Sequence, residues 1–324
     1  MSICRSEDAH PRSRLLRCTG VNPMRLAAVV AVVLALASPA AATADDAPFV
    51  GWTALLPALS IPYDPSNPDV CIAGRVQCVD KTIREMTNRL DPLASSCDHN
   101  AIFSLTYLRV TQAYRDTVVQ NPSFFDDTPF VNHEDRVFAL YYFSAYDNWA
   151  AGNVAKVPPA WRIAFDAAKA HAVSGSGDLL LGINAHVQRD LPIVLYSMGL
   201  VRPDGTSRKP DHDRVDIILN AVEDNIIAEL ARRFDPTVDD TNLPTGIDDA
   251  GLFQLLAAWR EKAWRNAEAL AAAATAQQRD AVEQGIEDDA AAEARSIVAT
   301  TSYPPLLGGS SARDAYCAIH WNDP

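Results

Sequence analysis

Apolar residues recur every three or four positions along most of the chain after Val79, which is the spacing of an amphipathic helix. The first such stretch carries Ile83, Met86, Leu90 and Leu93, with charged residues between them. No segment keeps the apolar–polar alternation of a half-buried strand for more than a few residues, so we predict a mainly α fold. Further helices are predicted over residues 98–120, 134–149, from 158 onwards, 178–198, 213–234 and from 249 onwards.

Local sequence also predicts how these helices begin and bend. Asp98 is expected to cap the second helix, and the polar runs 132–135 and 211–213 are expected to cap the third and the sixth. Pro192 is expected to bend the fifth helix, because proline has no backbone N–H. The alanine-rich stretch 267–294 has few large apolar side chains, so we expect the seventh helix to continue through it, broken or bent, facing solvent.

Residues 24–44 have the pattern of a secretory signal peptide. Arg25 precedes the apolar run LAAVVAVVLAL, and small residues at 40–44 offer cleavage after position 44 or after position 42. The run is too short to span a membrane, and no later segment reaches the ~20 apolar residues that a span needs. We predict that residues 1–44 are removed and that the mature chain is secreted or extracytoplasmic, with no transmembrane segment.

Five prolines between residues 45 and 70 exclude a long helix there, because each removes a backbone donor and restricts the residue before it. We therefore predict an extended proline-rich arm over residues 45–70, followed by one helical domain over residues 71–324. The domain is expected to be a single disulfide-stapled bundle.

The charge of the chain excludes two kinds of partner. The full sequence has 28 basic and 41 acidic residues, and loss of residues 1–44 takes away five basic and two acidic ones, which leaves a net charge of −16. Nucleic acids and anionic membrane surfaces are bound through basic patches. We therefore expect a small-molecule or envelope-derived ligand, and no nucleic acid.

Four cysteines remain after cleavage, and in an exported chain they predict two disulfides with three alternative connectivities. Cys71 and Cys78 bracket a short loop, so their pairing is favoured, and Cys97 would then pair with Cys317. A zinc site is the weaker alternative, because no Cys-x-x-Cys pair or neighbouring His pair accompanies them.

The most informative segment is LLLGINAHVQRDLPIVL, residues 179–195. His186 and Asp190 lie one helical turn apart on an apolar face, where both groups need a partner or a metal. One hypothesis is that they bind a divalent metal, most simply zinc; the other is that they form an internal ion pair or hydrogen bond to other core groups. His171 and His320 have no charged neighbour at helical spacing and are not assigned a role.

Other polar groups could complete such a site. His99, His133 and Asp135 are candidate metal ligands, although capping explains each of them as well. Candidates to line the site are Asn184, Tyr142, Tyr146 and Asp147. No motif of a serine hydrolase, a phosphate-binding loop or a dinucleotide-binding fold is present.

Three segments together resemble one family. They are CDHNAIFSLTYLRVTQ at 97–112, VPPAWRIAF at 157–165 and GINAHVQRDLP at 182–192, and the resemblance extends over about residues 70–236. The family is a group of exported bacterial helical proteins without an assigned activity, defined by domain of unknown function 5995. The resemblance implies export and a helical fold.

The pair His186 and Asp190 is also loosely similar to the His-x-x-x-Asp element of the zinc-dependent phospholipase C and P1-type nuclease group. That resemblance implies zinc at these two residues. The N-terminal tryptophan ligand and the further histidine pairs of that group have no counterpart here. We therefore expect either a metal-dependent hydrolase or a non-catalytic extracytoplasmic protein that binds an apolar or envelope-derived ligand.

Overall fold

The computed structural model describes residues 61–238, 249–303 and 309–324, and in these ranges the chain is helical, with isolated β-bridges but no strand. This confirms the prediction of a mainly α fold. The helices, in chain order, are α1 (Val76–Ser95), α2 (Ala101–Gln120), α3 (Thr128–Ala150), a 3₁₀ turn (Val154–Lys156), α4 (Pro159–Lys169), α5 (Gly175–Ile183), a π-helical segment (Asn184–Asp190), α6 (Leu191–Met198), α7 (Lys209–Arg233), α8 (Asp249–Ala272), α9 (Ala276–Thr301) and α10 (Ser311–His320).

Three predicted helix starts are wrong. Helix α3 begins at Thr128, where the Asp127 carboxylate accepts a hydrogen bond from the backbone N–H of Phe130, so residues 132–135 lie inside the helix instead of capping it. Helix α7 begins at Lys209 with a proline in its first turn, so residues 211–213 are also helical. Helix α2 begins three residues after Asp98.

The predicted fifth helix is three consecutive helical segments. Pro192 has no N–H to donate, and the N–H of Leu191 bonds to the carbonyl of His186, five residues earlier. The turn before the proline is thereby widened into the π segment. Such widened turns shift the side chains that follow relative to an α-helix and are frequent at functional sites.

One face of the alanine-rich stretch is buried, so the prediction that it faces solvent is wrong for that face. Ala267, Ala290 and Ala294 are fully buried, and α9 packs against α4, α5 and the π segment. Their small side chains allow the helices to approach closely. The predicted break is present, because Thr275 starts α9 with a capping box that it shares with Gln278.

Both predicted disulfides are confirmed: Cys71 pairs with Cys78, and Cys97 pairs with Cys317. The second bond ties the turn before α2 to α10. The predicted signal peptide and most of the predicted arm lie outside the described residues, and residues 61–75, which are described, are not helical. None of the helices in the described ranges is long and apolar enough to cross a membrane.

Candidate functional site

The π segment carries a buried histidine–aspartate pair. Nδ1 of His186 lies 3.2 Å from Oδ2 of Asp190, and both side chains are almost completely excluded from solvent. A carboxylate oxygen accepts a hydrogen bond, so the ring proton resides on Nδ1. The lone pair of the imidazole is therefore on Nε2, the nitrogen that faces away from the aspartate.

Asp190 is held by two further side chains. The indole N–H of Trp161 donates to Oδ2 at 2.8 Å, and the guanidinium of Arg189 donates to Oδ1 at 2.9 Å. Arg189 also donates to the buried carboxylate of Glu287 at 2.7 Å. Both oxygens of Asp190 thus accept hydrogen bonds inside the protein. This arrangement fixes the orientation and tautomer of His186.

Aromatic side chains enclose the imidazole. It stacks on Phe138 with ring centroids 3.5 Å apart and meets Tyr107 at 4.5 Å in an edge-to-face contact. Burial lowers the pKa of His186 below its usual value, and the hydrogen bond and charge of Asp190 oppose that shift. His186 is consequently neutral at neutral pH and able to accept a proton at Nε2.

His186 borders a cavity of about 140 Å³ between α2, α3, the π segment, α7 and α8. Helical spacing on α2 explains why Phe103, Tyr107, Val110 and Tyr114 share this wall. The polar lining residues are few compared with the apolar ones. The remaining lining residues are Thr106, Val131, Glu134, Asp135, Phe138, Ile183, Val187, Leu191, Val215, Leu219, Leu256 and Arg260.

A second cavity of about 50 Å³ shares part of this wall. Thr106, Val110, Ile183, Leu219 and Leu256 border both spaces. The rest of the smaller cavity is lined by aliphatic side chains and one carboxylate. The two cavities therefore form neighbouring parts of one apolar region, with the polar groups gathered at the larger end.

Three polar atoms at the larger cavity lack a hydrogen-bond partner among the residues that the structure describes. They are Nε2 of His186, the hydroxyl of Tyr107 and Oδ2 of Asp135. A buried polar atom without a partner costs the fold about 1–3 kcal/mol, and such atoms are rare in native proteins. The three residues that carry these atoms border the same cavity.

Two carboxyl groups in this wall hold their protons unusually tightly. Burial raises the pKa of Asp135 to about 7, against the opposing charge of Arg136. Burial likewise raises the pKa of Glu134 to about 7, and the positive charges of Arg260 and Arg208 oppose it. At neutral pH both groups exchange between the acid and the carboxylate, which suits proton donors beside a histidine base.

The predicted metal ligands do not form one shell. His186 and Asp135 line the same cavity, and Asp190 lies behind His186. His133 is buried on α3 with its two ring nitrogens 2.7 and 2.6 Å from the carbonyl oxygens of Cys71 and Ile61, so neither nitrogen is free.

His99 lies in another place, beside His171 and Asp314. Within the described ranges, these three residues are the only group of three or more His, Cys, Asp or Glu side chains with ligand atoms within 4.8 Å of one another. No role was predicted for His171, because its neighbours in space are distant along the chain.

The four predicted lining residues serve other contacts. The Asn184 side chain donates to the carbonyl of Ala290. Tyr142 packs in the aromatic core, and Tyr146 packs beside it. Asp147 is exposed and forms an ion pair with Arg89 at 2.6 Å. None of these four residues lines the larger cavity.

Tyr107 and Phe138 are site residues that the sequence analysis did not single out. Tyr107 lies four residues after Phe103 and three before Val110, so helical spacing places all three on one face of α2. This helical spacing was the sequence feature from which Tyr107 could have been predicted to share a face with Phe103 and Val110. Only the packing of α3 and the π segment against this face makes it a cavity wall.

Residues 79–300 match a family described as "Family of unknown function (DUF5995)". The chain belongs to this family. The matched range contains the π segment and the elements that line both cavities, so the site lies within the shared domain. No curated protein and no solved structure matches the chain.

Proposed function

We propose that this chain is an extracytoplasmic hydrolase in which His186 is the general base and the substrate is a small ester or amide with an apolar tail. The observation that supports this most strongly is that His186, Tyr107 and Asp135 line one apolar cavity and that Nε2, Oη and Oδ2 of these residues have no hydrogen-bond partner within the described chain. The signal-peptide pattern and the two disulfides support a location outside the cytoplasm.

In this proposal a water molecule lies against Nε2 of His186. The imidazole takes a proton from the water while the water oxygen attacks the carbonyl carbon of the substrate. Asp190 stabilises the imidazolium that forms. The carbonyl oxygen accepts hydrogen bonds from Tyr107 and from protonated Asp135 as negative charge develops on it. When the bond to the leaving group breaks, the imidazolium returns its proton to that group.

The metal-dependent form of this hypothesis fits the geometry less well. It needs Asp190 as a ligand, whereas both of its oxygens accept hydrogen bonds from Trp161 and Arg189. Moving a buried carboxylate away from such partners is costly. We therefore assign His186 to proton transfer and Asp190 to its orientation.

The size and lining of the cavities support a substrate with an apolar tail. An apolar cavity of about 150 Å³ accommodates benzene, so the larger cavity holds a group of about that size. The smaller cavity extends the apolar wall by about 50 Å³. A short acyl chain or an aromatic ring in these spaces would leave its carbonyl beside His186.

The second candidate function is binding without catalysis. The smaller cavity is lined by aliphatic side chains apart from Thr106 and Glu223 and so favours an apolar or envelope-derived ligand. In that case the unpartnered polar atoms would hold the polar end of the ligand. Binding and hydrolysis of the same esters, measured on the wild type and its variants, distinguish the two functions.

The test measures hydrolysis of p-nitrophenyl esters with acyl chains of two to eight carbons by the purified chain with its disulfides formed. Tyr107→Phe removes only an unpartnered hydroxyl, so it should fold and should lower kcat by about 10- to 1,000-fold. Tyr146→Phe, at a tyrosine outside the cavity, is the matched control and should keep the full rate. His186→Gln should abolish turnover.

The pH profile provides a second readout. The rate should rise as His186 loses its proton below pH 6.5 and fall as Asp135 ionises near pH 7. Asp135→Asn keeps an N–H donor that does not ionise, so the decline above pH 7 should become weaker or disappear.

The outcomes separate the two functions. Saturable binding of the intact esters with no turnover, and loss of that binding in Val110→Trp, would replace the hydrolase by the binding protein. Turnover that Tyr107→Phe and His186→Gln leave unchanged would refute the assignment of the site.

A further inference from the structure

A second group of histidines lies away from the cavity, where three chain segments meet. Nε2 of His99, in the turn before α2, is 2.8 Å from Oδ1 of Asp314 on α10. Nδ1 of His171, in the turn after α4, is 3.1 Å from Oδ2 of the same carboxylate. The two imidazole rings are stacked with their centroids 3.9 Å apart.

We propose that His99, His171 and Asp314 bind one Zn²⁺ ion. Two imidazole nitrogens and a carboxylate oxygen are ligands that zinc accepts, at about 2.0–2.2 Å each. Ligand atoms around a tetrahedral ion at those distances are about 3.3 Å apart. The three atoms here lie within 4.8 Å of one another, so adjustments of about an ångström would bring them to zinc.

The site is held in place but open on one side. His99 is buried, whereas the His171 and Asp314 side chains are 42% and 34% exposed, so an ion can enter from solvent. The disulfide Cys97–Cys317 begins two residues before His99 and ends three residues after Asp314. This cross-link fixes the distance between the two segments whether or not an ion is bound.

The surroundings of His99 prepare it to bind a cation. Its Nε2 atom faces the carboxylate of Asp314, so the nitrogen and the oxygen that would bind the ion already lie side by side. Oδ2 of Asp178 lies 3.5 Å from Nδ1, and a carboxylate in that position commonly supports a metal-bound imidazole.

Arg313 is the group that opposes zinc. Its guanidinium lies 3.0 Å from Nδ1 of His99, and it would give up that contact when Nδ1 carries the proton. Arg313 keeps a second and shorter hydrogen bond, to Asp178 at 2.6 Å, and this carboxyl group offsets the positive charge of the guanidinium. Arg313 also lies 3.6 Å from the carboxyl group of Asp235, so two acidic side chains offset its positive charge beside the site.

The site is separate from the cavity, and this proposal does not rest on the hydrolase. None of the three ligands lines either cavity. Zinc here would join the N-terminal side of the bundle to α10 beside the disulfide. An open coordination position would remain for water, because the protein supplies three ligands.

The experiment titrates the tag-free protein, with disulfides formed, with ZnCl₂ in a calorimeter and follows its melting temperature. We expect one zinc per chain and a higher melting temperature, with no response to MgCl₂. His171→Ala changes an exposed side chain, so it should fold, and it should weaken zinc binding at least about 10-fold. Asp314→Asn should have a similar effect.

His320→Ala is the matched control. His320 lies on the same helix and pairs with Asp323 at 2.7 Å, so it is a histidine–aspartate pair without a third ligand. Zinc binding should survive this substitution. Absence of zinc binding by the wild-type chain, or an affinity in His171→Ala within twofold of the wild type, would overturn the proposal.

Discussion

The Asp135→Asn variant should be more stable than the wild type, and the difference should grow with pH. Asp135 lies in the wall of an apolar cavity, and burial raises the pKa of its carboxyl to about 7 from an ordinary value of 3.8. Between these two values the folded chain holds a proton that the unfolded chain has lost. The stability of the wild type therefore falls as pH rises through that interval. Asparagine carries no titrating proton and lacks this dependence.

The magnitude follows from the size of the shift. A difference of about 3 pH units, at about 1.4 kcal/mol for each unit, gives about 4 kcal/mol above pH 7. Water that enters the cavity screens the carboxylate and reduces this figure, so it is an upper bound. A gain of 1–4 kcal/mol from one polar substitution would be large for a natural protein of about this size.

The assay is urea unfolding, followed by tryptophan fluorescence, at four pH values between 4.5 and 8. The quantity of interest is the free energy of unfolding of Asp135→Asn minus that of the wild type. Asp91→Asn, which removes a carboxylate from an exposed position of α1, is the control. A constant difference for Asp135→Asn would refute the argument, because it would mean that the fold does not raise the pKa of this carboxyl.

Three further variants test contacts that stabilise the fold, each by the midpoint of denaturant unfolding. Arg189→Met should destabilise the fold by about 3–5 kcal/mol, because it leaves two buried carboxylates without their cation; a loss below 1 kcal/mol would contradict this. Cys97→Ser with Cys317→Ser should cost about 5 kcal/mol, since the bond spans 220 residues, and an unchanged midpoint would argue against a bond in the native protein. Gly182→Ala should cost about 1–3 kcal/mol, because its Cβ would overlap the ring of Phe103; a neutral effect would show that α5 and α2 can separate freely.

Hydrophobic periodicity predicted where most helices lie, but it did not predict which of their faces are buried. It identified the segments around α1 to α4 because their apolar residues are large and regularly spaced. It failed for α9, where alanines such as Ala290 and Ala294 are fully buried. Alanine is common on exposed helices as well, so its burial is decided by the helix that packs against it. Helix α10 was not predicted at all.

The candidate site was predicted in part. His186 and Asp190 were recognised as a pair that must be satisfied in an apolar setting, and the structure places them in contact. The groups that hold this pair are distant along the chain: Trp161 is 29 residues from Asp190, and Glu287 is 98 residues from Arg189, which also bonds to Asp190. Nothing in local spacing indicates that both oxygens of Asp190 accept hydrogen bonds, which is the observation behind the orienting role that we propose for Asp190.

Local spacing also explains why no role was predicted for His171. Along the chain it stands in a turn with no charged neighbour at helical spacing, whereas in space it stacks on His99 and contacts Asp314. These contacts form because α10, at the end of the chain, lies against the turn that precedes α2. The cysteine pattern predicted that return, and it could have been used to ask which polar residues flank the two half-cystines.

The bond between Cys97 and Cys317 also makes the chain a covalent ring that contains every helix from α2 to α9. A protease that cuts one peptide bond anywhere inside this ring releases no fragment. The nicked molecule gains the mass of one water and still migrates as a single species until a reductant is added. Where reductants are scarce, such a cut would open a loop without releasing any of the helices that line the cavity.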